Sequence, residues 1–221
     1  MKVILFGATG MVGQGVLREC LADPRVERVL AIGRSPLAAR HPKLQERQVQ
    51  SFLDFSVVEA ELSGYDACFY CLGVSSAGLQ EAEYRKVTYD FALAAARVLA
   101  HCNPRMRFLF ISGAGTDSSG GGRIMWARVK GQTENTLLEL PFQGAYMLRP
   151  GFIQPLHGIR SRTRLYRVLY TLLSPLVPLL KRLAPGLVLT TEELGRAMIQ
   201  IAAHGQAPPR LEVADIRKVL G

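Results

Sequence analysis

The 221 residues include 48% hydrophobic and 20% charged side chains, which is typical of a soluble globular chain with one domain and a small appendage and excludes a disordered protein. No run of about 18 uninterrupted apolar residues occurs, and the apolar start is too short for a signal peptide, so we expect a cytoplasmic protein without a membrane-spanning helix. The net charge of +9 indicates an anionic partner: nucleic acid, an acidic membrane surface or a phosphorylated small molecule.

The N-terminal stretch predicts a strand, a tight turn and a helix. Lys2 to Phe6 has the composition of a buried strand, three glycines follow with G-x-x-G-x-x-G spacing, and helical periodicity continues from Val16 to Leu21. In this order one glycine permits the turn, one lets the backbone approach a diphosphate, and one lets helix and strand pack closely. The phosphates then bind unpaired N–H groups at the helix N-terminus. We therefore predict dinucleotide binding, with a merely structural glycine turn as the alternative. The predicted contacts in this turn are Gly7, Thr9, Gly10, Met11, Val12 and Gly13.

The second strand, Arg28 to Ile32, indicates which dinucleotide binds. In dinucleotide-binding folds an acid at the end of this strand binds the 2′-hydroxyl of NAD. This strand instead runs into Gly33, Arg34 and Ser35, and a guanidinium suits a 2′-phosphate because it offers paired donors in one plane. We predict NADP as the cofactor in preference to NAD, contacted by Arg34 and Ser35. A solvated turn arginine is the alternative.

Two further contacts are predicted after the next strands. A short third strand is expected around Arg47 to Val49, and Asp54 behind it either contacts the adenine amino group or caps a helix beginning near Ser56. A fourth strand, Ala67 to Leu72, ends in Gly73, where a glycine lets the chain pass close to the cofactor. Leu72 and Gly73 are therefore predicted cofactor contacts.

The four cysteines do not predict a metal or redox site. Cys68 and Cys71 have C-x-x-C spacing, but they fall in the predicted fourth strand, where residues three apart point to opposite faces. They cannot then share a metal or form a disulfide without breaking the strand. With Cys20 and Cys102 they are expected to be small apolar residues.

The rest of the first 150 residues continues the alternation of strands and helices. A long helix is predicted from Glu81 to His101, a fifth strand from Arg107 to Ile111, a helix around Lys130, and a sixth strand from Ala145 to Leu148. This spacing predicts right-handed crossovers and a doubly wound parallel sheet, a Rossmann fold of strand order 3-2-1-4-5-6. Pro150 and Gly151, after the sixth strand, are predicted to face the cofactor. Residues 1–150 are expected to form the NADP-binding domain, and residues 151–221 a small helical C-terminal cap.

The C-terminal part has an uneven charge distribution. From Phe142 to Thr191 there is no Asp or Glu, while five arginines and a lysine occur between Arg160 and Arg182, next to leucines at helical spacing. This basic segment is interpreted as a lid over the cofactor cleft or a homodimer face, and less readily as a membrane-surface helix. Nucleic-acid binding is not expected, since aromatic residues do not alternate with the basic ones. A last helix is predicted from Thr190 to Ala203.

Four motifs resemble the atypical short-chain dehydrogenase/reductases, in particular the compact Tat-interacting-protein-like group of this NAD(P)-binding superfamily, which is similar to the NAD-dependent epimerases and dehydratases. The motifs are GATGMVG at 7–13, ISGAGT at 111–116, VKG at 129–131 and LRPG at 148–151. Catalytic members have a serine or threonine after strand five and a Tyr-x-x-x-Lys pair on the next helix. The tyrosine exchanges a proton with the substrate, and the lysine binds the ribose and lowers the tyrosine pKa.

The resemblance implies that Lys130 is the ribose-binding lysine and that Ser112 contacts the substrate. Trp126 occupies the tyrosine position, Ala114 the position that often carries the catalytic serine, and Thr88 the place of a frequent asparagine. Two functions remain open: an NADP-dependent oxidoreductase acting on a small carbonyl or alcohol, or a non-catalytic NADP(H)-sensing regulatory protein. Other residues considered as the acid are Tyr70, Tyr84, Tyr89, Thr116 and His157.

Overall fold

The computed structural model describes residues 1–159 and 188–221, so the basic segment from Arg160 to Arg182 lies outside the described residues. The strands are β1 (Lys2–Phe6), β2 (Arg28–Gly33), β3 (Leu44–Gln48), β4 (Ala67–Tyr70), β5 (Arg107–Ile111), β6 (Gly144–Arg149), β7 (Phe152–Gln154), β8 (Val188–Thr190) and β9 (Arg210–Glu212). The helices are α1 (Met11–Ala22), α2 (Glu81–Arg85), α3 (Phe91–Cys102), α4 (Met125–Leu138), α5 (Thr191–His204) and α6 (Val213–Leu220).

Seven parallel strands form the main sheet, in the order β3-β2-β1-β4-β5-β6-β9. The predicted doubly wound sheet of order 3-2-1-4-5-6 is therefore confirmed, and the short C-terminal helix α6 is present. The seventh strand, β9, was not predicted; it pairs with β6, so the described C-terminal part contributes to the same sheet. The division of the chain at residue 150 stays a prediction. The short strands β7 and β8 form a separate parallel pair.

The core has two halves, one on each face of the sheet. Successive residues of a strand point to opposite faces, so Val3 and Leu5 pack towards α1 and α5, while Ile4 and Phe6 pack towards α3. Because both faces are covered, the central strands are apolar throughout, as parallel sheets require. This explains why the N-terminal strand has an unbroken run of apolar residues.

Helices α1 and α5 pack closely because glycines face the partner helix. A Cβ atom at Gly15 would lie 2.5 Å from the Thr191 Cβ atom, and one at Gly195 would lie 2.8 Å from the Glu19 Cγ atom. The start of α5 is fixed by a capping box, in which Thr190 Oγ1 accepts from the Glu193 N–H and the Glu193 carboxylate accepts from the Thr190 N–H. This start was predicted.

Four predicted elements differ in detail. The fourth strand ends at Tyr70 and not at Leu72, so Cys71 lies just beyond it. The third strand lies at Leu44–Gln48, slightly before the predicted stretch, and no α-helix follows Ser56, where the chain forms only a 3₁₀ turn at Glu59–Glu61. The long helix from Glu81 is interrupted by a π-helical turn at Lys86–Asp90. The π turn is a local insertion that periodicity does not reveal. None of the described helices has the length and apolar character that crossing a membrane requires.

Candidate nucleotide-binding site

The glycine turn between β1 and α1 lies at the carboxyl edge of the sheet, where Phe6 is in register with Ile32 of β2 and Tyr70 of β4. Gly7 has a φ of +79°, and a Cβ atom there would lie 2.6 Å from the backbone of Cys71. A Cβ atom at Gly13 would lie 2.0 Å from the carbonyl oxygen of Gly7. The first glycine thus permits the turn and the third permits the helix to pack on it, as predicted.

The first turn of α1 offers unpaired amides at this edge. Gly10 is the N-cap residue, it provides no capping side chain, and no acid lies in the first turn. The N–H groups of the first helical turn have no carbonyl partner within the helix, and they carry the positive end of the helix dipole. Met11, Val12 and Gly13 therefore form a donor set that fits a diphosphate. Thr9 lies just before them, with its carbonyl accepting from Gln14 Nε2 at 3.0 Å.

A cleft of about 80 Å³ lies beside the glycine turn, at the end of β2. It is lined by Gly7 and Thr9 of the turn, by Arg34 and Ser35 after β2, and by Leu72 after β4. Phe52 and Glu46 line it as well, and neither was predicted. The Arg34 guanidinium carbon lies 5.7 Å from the centre of the Phe52 ring, which is within the range of a cation–π contact. The structure thus brings together the predicted residues Arg34, Ser35 and Leu72.

Two predicted contacts lie apart from this cleft lining. Asp54 is exposed and its Oδ1 atom accepts from the Ser56 N–H at 2.9 Å, which lowers the pKa of the carboxyl. The carboxylate thereby fixes a local turn, and its contact with adenine stays a prediction. Gly73 is exposed, and no atom lies within 4 Å of the position of a Cβ atom there. Its small size therefore leaves space above the end of β4, as a close approach of cofactor would need.

Lys130 of α4 lies at the end of β5. Its Nζ atom donates to the carbonyl of Ser112 at 2.8 Å and to that of Ile111 at 3.4 Å, and it lies 5.8 Å from the centre of the Phe110 ring. Burial disfavours the charged amine and lowers its pKa from 10.5 to about 8, an effect that nearby Glu134 partly offsets. An ammonium has three protons, so one remains for a bound ligand.

Ser112 is buried and its hydroxyl is held by Thr116. The Thr116 hydroxyl lies 2.7 Å from the Gly113 carbonyl, which can only accept, and 3.0 Å from the Ser112 hydroxyl. Because the single Thr116 proton goes to the carbonyl, Ser112 donates to Thr116 and retains lone pairs as acceptors. In this arrangement Ser112 can accept from a substrate hydroxyl, whereas donation to a carbonyl requires its proton to rotate away. From the sequence, Thr116 was considered only as a possible acid. In the structure its hydroxyl orients the hydroxyl of Ser112.

Trp126 packs over the turn that follows β5. Cβ atoms at Gly113 and Gly115 would lie 3.9 Å and 3.6 Å from its six-membered ring. Trp126 and Lys130 are four residues apart on α4 and therefore share a helix face. An indole N–H does not ionise near neutral pH, so the residue at the family tyrosine position can donate a hydrogen bond but cannot deliver a proton. Buried Thr88, at the family asparagine position, lies in the π-helical turn.

The VKG motif is explained by the contact between α4 and the loop at 117–122. A Cβ atom at Gly131 would lie 1.6 Å from the carbonyl oxygen of Asp117, so only glycine lets the loop approach the helix. The Asp117 carboxylate accepts from the N–H groups of Ser119 and Gly122, and Gln132 donates to the Gly120 carbonyl. The glycine-rich loop is therefore tied to the helix that carries Lys130.

The arginine of the LRPG motif has a structural role that was not predicted from the sequence. Arg149 pairs with Glu134, which is completely buried, through bonds of 2.5 and 3.0 Å, and with Glu212 at 3.1 Å. Arg149 thus joins β6 to α4 through Glu134 and to β9 through Glu212. Pro150 is buried and its carbonyl accepts from the Ala114 N–H at 2.9 Å, which brings the ends of β5 and β6 together. Gly151 follows directly, and contact of Pro150 and Gly151 with a cofactor stays a prediction.

The other candidate acids lie in the core or bond to neighbouring side chains. Tyr70 is buried among aromatic rings, and burial raises its pKa well above the usual value. Tyr84 is buried, and the Tyr89 hydroxyl bonds to that of Thr136 at 3.2 Å. His157 bonds to the Glu192 carboxylate at 3.0 Å beside a cavity of about 750 Å³ along α1. None of these contacts indicates a proton donor.

The cysteines have the positions expected of small apolar residues. Cys68 and Cys71 point into opposite halves of the core, and burial raises the pKa of both thiols. Within residues 1–159 and 188–221, no group of three or more His, Cys, Asp or Glu side chains is arranged to hold a metal ion.

Comparison with known proteins identifies relatives over most of the chain. No family model matches. The mitochondrial protein fmp52-1 of Aspergillus terreus is 32% identical over 173 residues, covering 74% of this chain and 70% of the relative. Protein fmp52 of Emericella nidulans is 30% identical with the same coverage. Protein HTATIP2 of Rattus norvegicus is 28% identical over 154 residues, which span 69% of this chain and 62% of the rat protein.

Solved structures confirm the fold. The Bordetella bronchiseptica enzyme WbmF, in complex with NAD⁺, superposes with a TM-score of 0.67 at 16% identity, covering 99% of this chain and 77% of that one. A short-chain dehydrogenase family protein from Francisella tularensis gives 0.65 at 13% identity, covering 92% and 91%.

The fungal relatives are named mitochondrial, which contradicts the expectation of a cytoplasmic protein. That expectation was wrong because it used only hydropathy and the N-terminal residues, which do not define a compartment. The glycine turn, the strand order and the relatives agree: the chain belongs to the family of FMP52 and HTATIP2, atypical short-chain dehydrogenase/reductases of the NAD(P)-binding Rossmann superfamily.

Proposed function

We propose that the protein binds NADP(H) across the carboxyl edge of the sheet. The observation that carries this proposal is the packing of Gly13 on the Gly7 carbonyl, which directs an uncapped helix N-terminus towards this edge. The diphosphate binds the amides of Met11, Val12 and Gly13. The adenosine lies in the cleft beside Arg34 and Ser35, and Lys130 binds the nicotinamide ribose through its remaining proton.

The preference for NADP over NAD rests on Arg34. No acid lies at the end of β2. The Arg34 guanidinium is exposed, lies against the Phe52 ring, and forms no ion pair within the described residues. A planar guanidinium binds a phosphate with two parallel hydrogen bonds. Titration of the protein with NADPH and NADH, repeated with Arg34→Glu, tests this. Equal binding of the two nucleotides, or no effect of the substitution, contradicts the assignment.

For chemistry, the geometry supports an oxidoreductase acting on a small alcohol or carbonyl. When bound, NADP(H) accepts or supplies a hydride. The Ser112 hydroxyl offers an acceptor to a substrate hydroxyl. The Lys130 amine, with a pKa of about 8, is close by, because it donates to the carbonyl of the same serine. Alcohol oxidation releases a proton and carbonyl reduction consumes one. In this proposal Lys130 exchanges that proton through the hydroxyl of the ribose that it binds, since Trp126 cannot ionise near neutral pH.

Trp126 favours a second candidate, a non-catalytic protein that senses NADP(H) and passes its redox state to a partner. The two candidates are separated by assaying NADPH oxidation with a panel of small aldehydes and ketones, and NADP reduction with the matching alcohols. The variants are Trp126→Tyr and, as its control, Trp126→Phe. Turnover by the unmodified protein supports the oxidoreductase. Activity that appears only in Trp126→Tyr shows a disabled proton relay and supports the sensor.

A further inference from the structure

Glu46 of β3 lines the cleft beside the glycine turn, although no cofactor contact was predicted on this strand. Glu46 is in register with Ala31 of β2 and lines the cleft with Gly7, Thr9 and Arg34. Its Oε2 atom accepts from the Leu37 N–H at 2.7 Å. The carboxylate therefore anchors the loop that begins with Arg34 and at the same time contributes a negative charge to the cleft.

The second carboxylate oxygen of Glu46 is available to a ligand. Among the residues that the structure describes, Oε1 has no hydrogen-bond partner and Glu46 has no ion pair; in particular it is not paired with Arg34. The Arg34 guanidinium instead lies against Phe52. The cleft thus has a cation that suits a 2′-phosphate and a carboxylate that suits a 2′-hydroxyl, and neither neutralises the other by direct contact.

We propose that Glu46 is a second selectivity residue of the adenosine end, one that accepts the 2′-hydroxyl of NAD(H) and opposes the 2′-phosphate of NADP(H). It takes the part of the acid that is missing from the end of β2. The proposal rests on the dinucleotide binding proposed above. If Glu46 has this role, the ratio of affinities for NADP(H) and NAD(H) is smaller than Arg34 alone would give, and the protein also binds NAD(H).

The test is the ratio of affinities for NADPH and NADH in Glu46→Gln. The amide oxygen of Gln can still accept from the Leu37 N–H, so the loop retains its anchor while the charge is lost. A unit charge in a partly exposed cleft is worth about 1 kcal/mol, which is roughly a fivefold change in affinity. We expect NADPH to bind about fivefold more tightly, NADH to bind about twofold or more weakly, and the ratio of affinities to rise about tenfold.

The matched control is Glu139→Gln, the same charge change on an exposed residue at the C-terminal end of α4, the end away from the cleft. It should leave the ratio unchanged. Titration with 2′,5′-ADP and 5′-ADP repeats the comparison at the adenosine end alone and does not depend on the nicotinamide side. An unchanged ratio in Glu46→Gln, with both nucleotides still bound, overturns the role of Glu46 only. Failure of the unmodified protein to bind any of the four nucleotides overturns the proposed function, and the role of Glu46 with it.

Discussion

Replacement of Gly13 by alanine tests the packing on which the site depends. In the structure, the new Cβ atom would lie 2.0 Å from the Gly7 carbonyl oxygen, 2.6 Å from the Gly7 carbonyl carbon and 3.0 Å from Ala8 Cα. Ordinary contacts begin near 3.4 Å, and all three neighbours are backbone atoms, so no side chain can move aside. Helix α1 must therefore shift away from the turn by more than an ångström.

Two opposing contributions change the free energy of unfolding of Gly13→Ala. Overpacking of a closely packed site costs about 1–3 kcal/mol, while alanine gains up to about 1 kcal/mol over glycine in helix propensity. We expect a net loss of about 1–2 kcal/mol in the free energy of unfolding. Displaced amides also lose hydrogen bonds to a charged diphosphate, each worth about 1.5–3 kcal/mol, so NADPH affinity should fall about tenfold or more.

The assay is urea unfolding followed by circular dichroism, together with NADPH titration by fluorescence. For the unfolding measurement the control is Gly73→Ala, because a Cβ atom there meets no protein atom within 4 Å. Its free energy of unfolding should stay within about 0.5 kcal/mol of the unmodified protein. If Gly13→Ala unfolds and binds NADPH like the unmodified protein, the close packing of helix on turn is not what positions the amides.

Three further predictions follow from other parts of the structure. Gly131→Ala should loosen the loop at 117–122 from α4, because its Cβ atom would lie 1.6 Å from the Asp117 carbonyl oxygen, and limited proteolysis should then cut this loop faster. Glu134→Leu should lower the free energy of unfolding by about 3–5 kcal/mol in urea, since Arg149 loses its buried partner; a loss below about 1 kcal/mol would show that the pair is dispensable. Burial lowers the pKa of Lys130 from 10.5 to about 8 in the folded state. Between these pH values the unfolded chain binds more protons than the folded chain. The free energy of unfolding of the unmodified protein should therefore rise with pH in this range, relative to that of Lys130→Met. Parallel pH profiles for the two proteins would contradict the shift.

The fold was largely predictable because its main signals are local. An apolar run before three spaced glycines predicts the first β-α unit, and the alternation of elements then leaves few topologies for a parallel sheet. The strand β9 could not be found in this way. It has only three residues, Arg210–Glu212, and a single buried one, so its pairing with β6 is set by tertiary contacts.

The site was predictable where it depends on backbone and less where it depends on side chains that meet across elements. Gly7, Gly13 and Arg34 have the positions that their motifs indicate. Glu46 and Phe52 line the cleft beside the glycine turn and belong to no motif. The pair of Glu134 and Arg149 is also invisible in the sequence, because its members lie on different elements and meet only in the folded core.

The proposed function requires a dinucleotide bound with its diphosphate at the start of α1. The most direct measurement is a crystal structure of the protein grown with NADPH. We predict the diphosphate on the amides of Met11, Val12 and Gly13, with the 2′-phosphate beside Arg34 and the nicotinamide ribose beside Lys130. A crystal in which saturating NADPH leaves this edge empty, or in which the nucleotide binds elsewhere, would contradict the account.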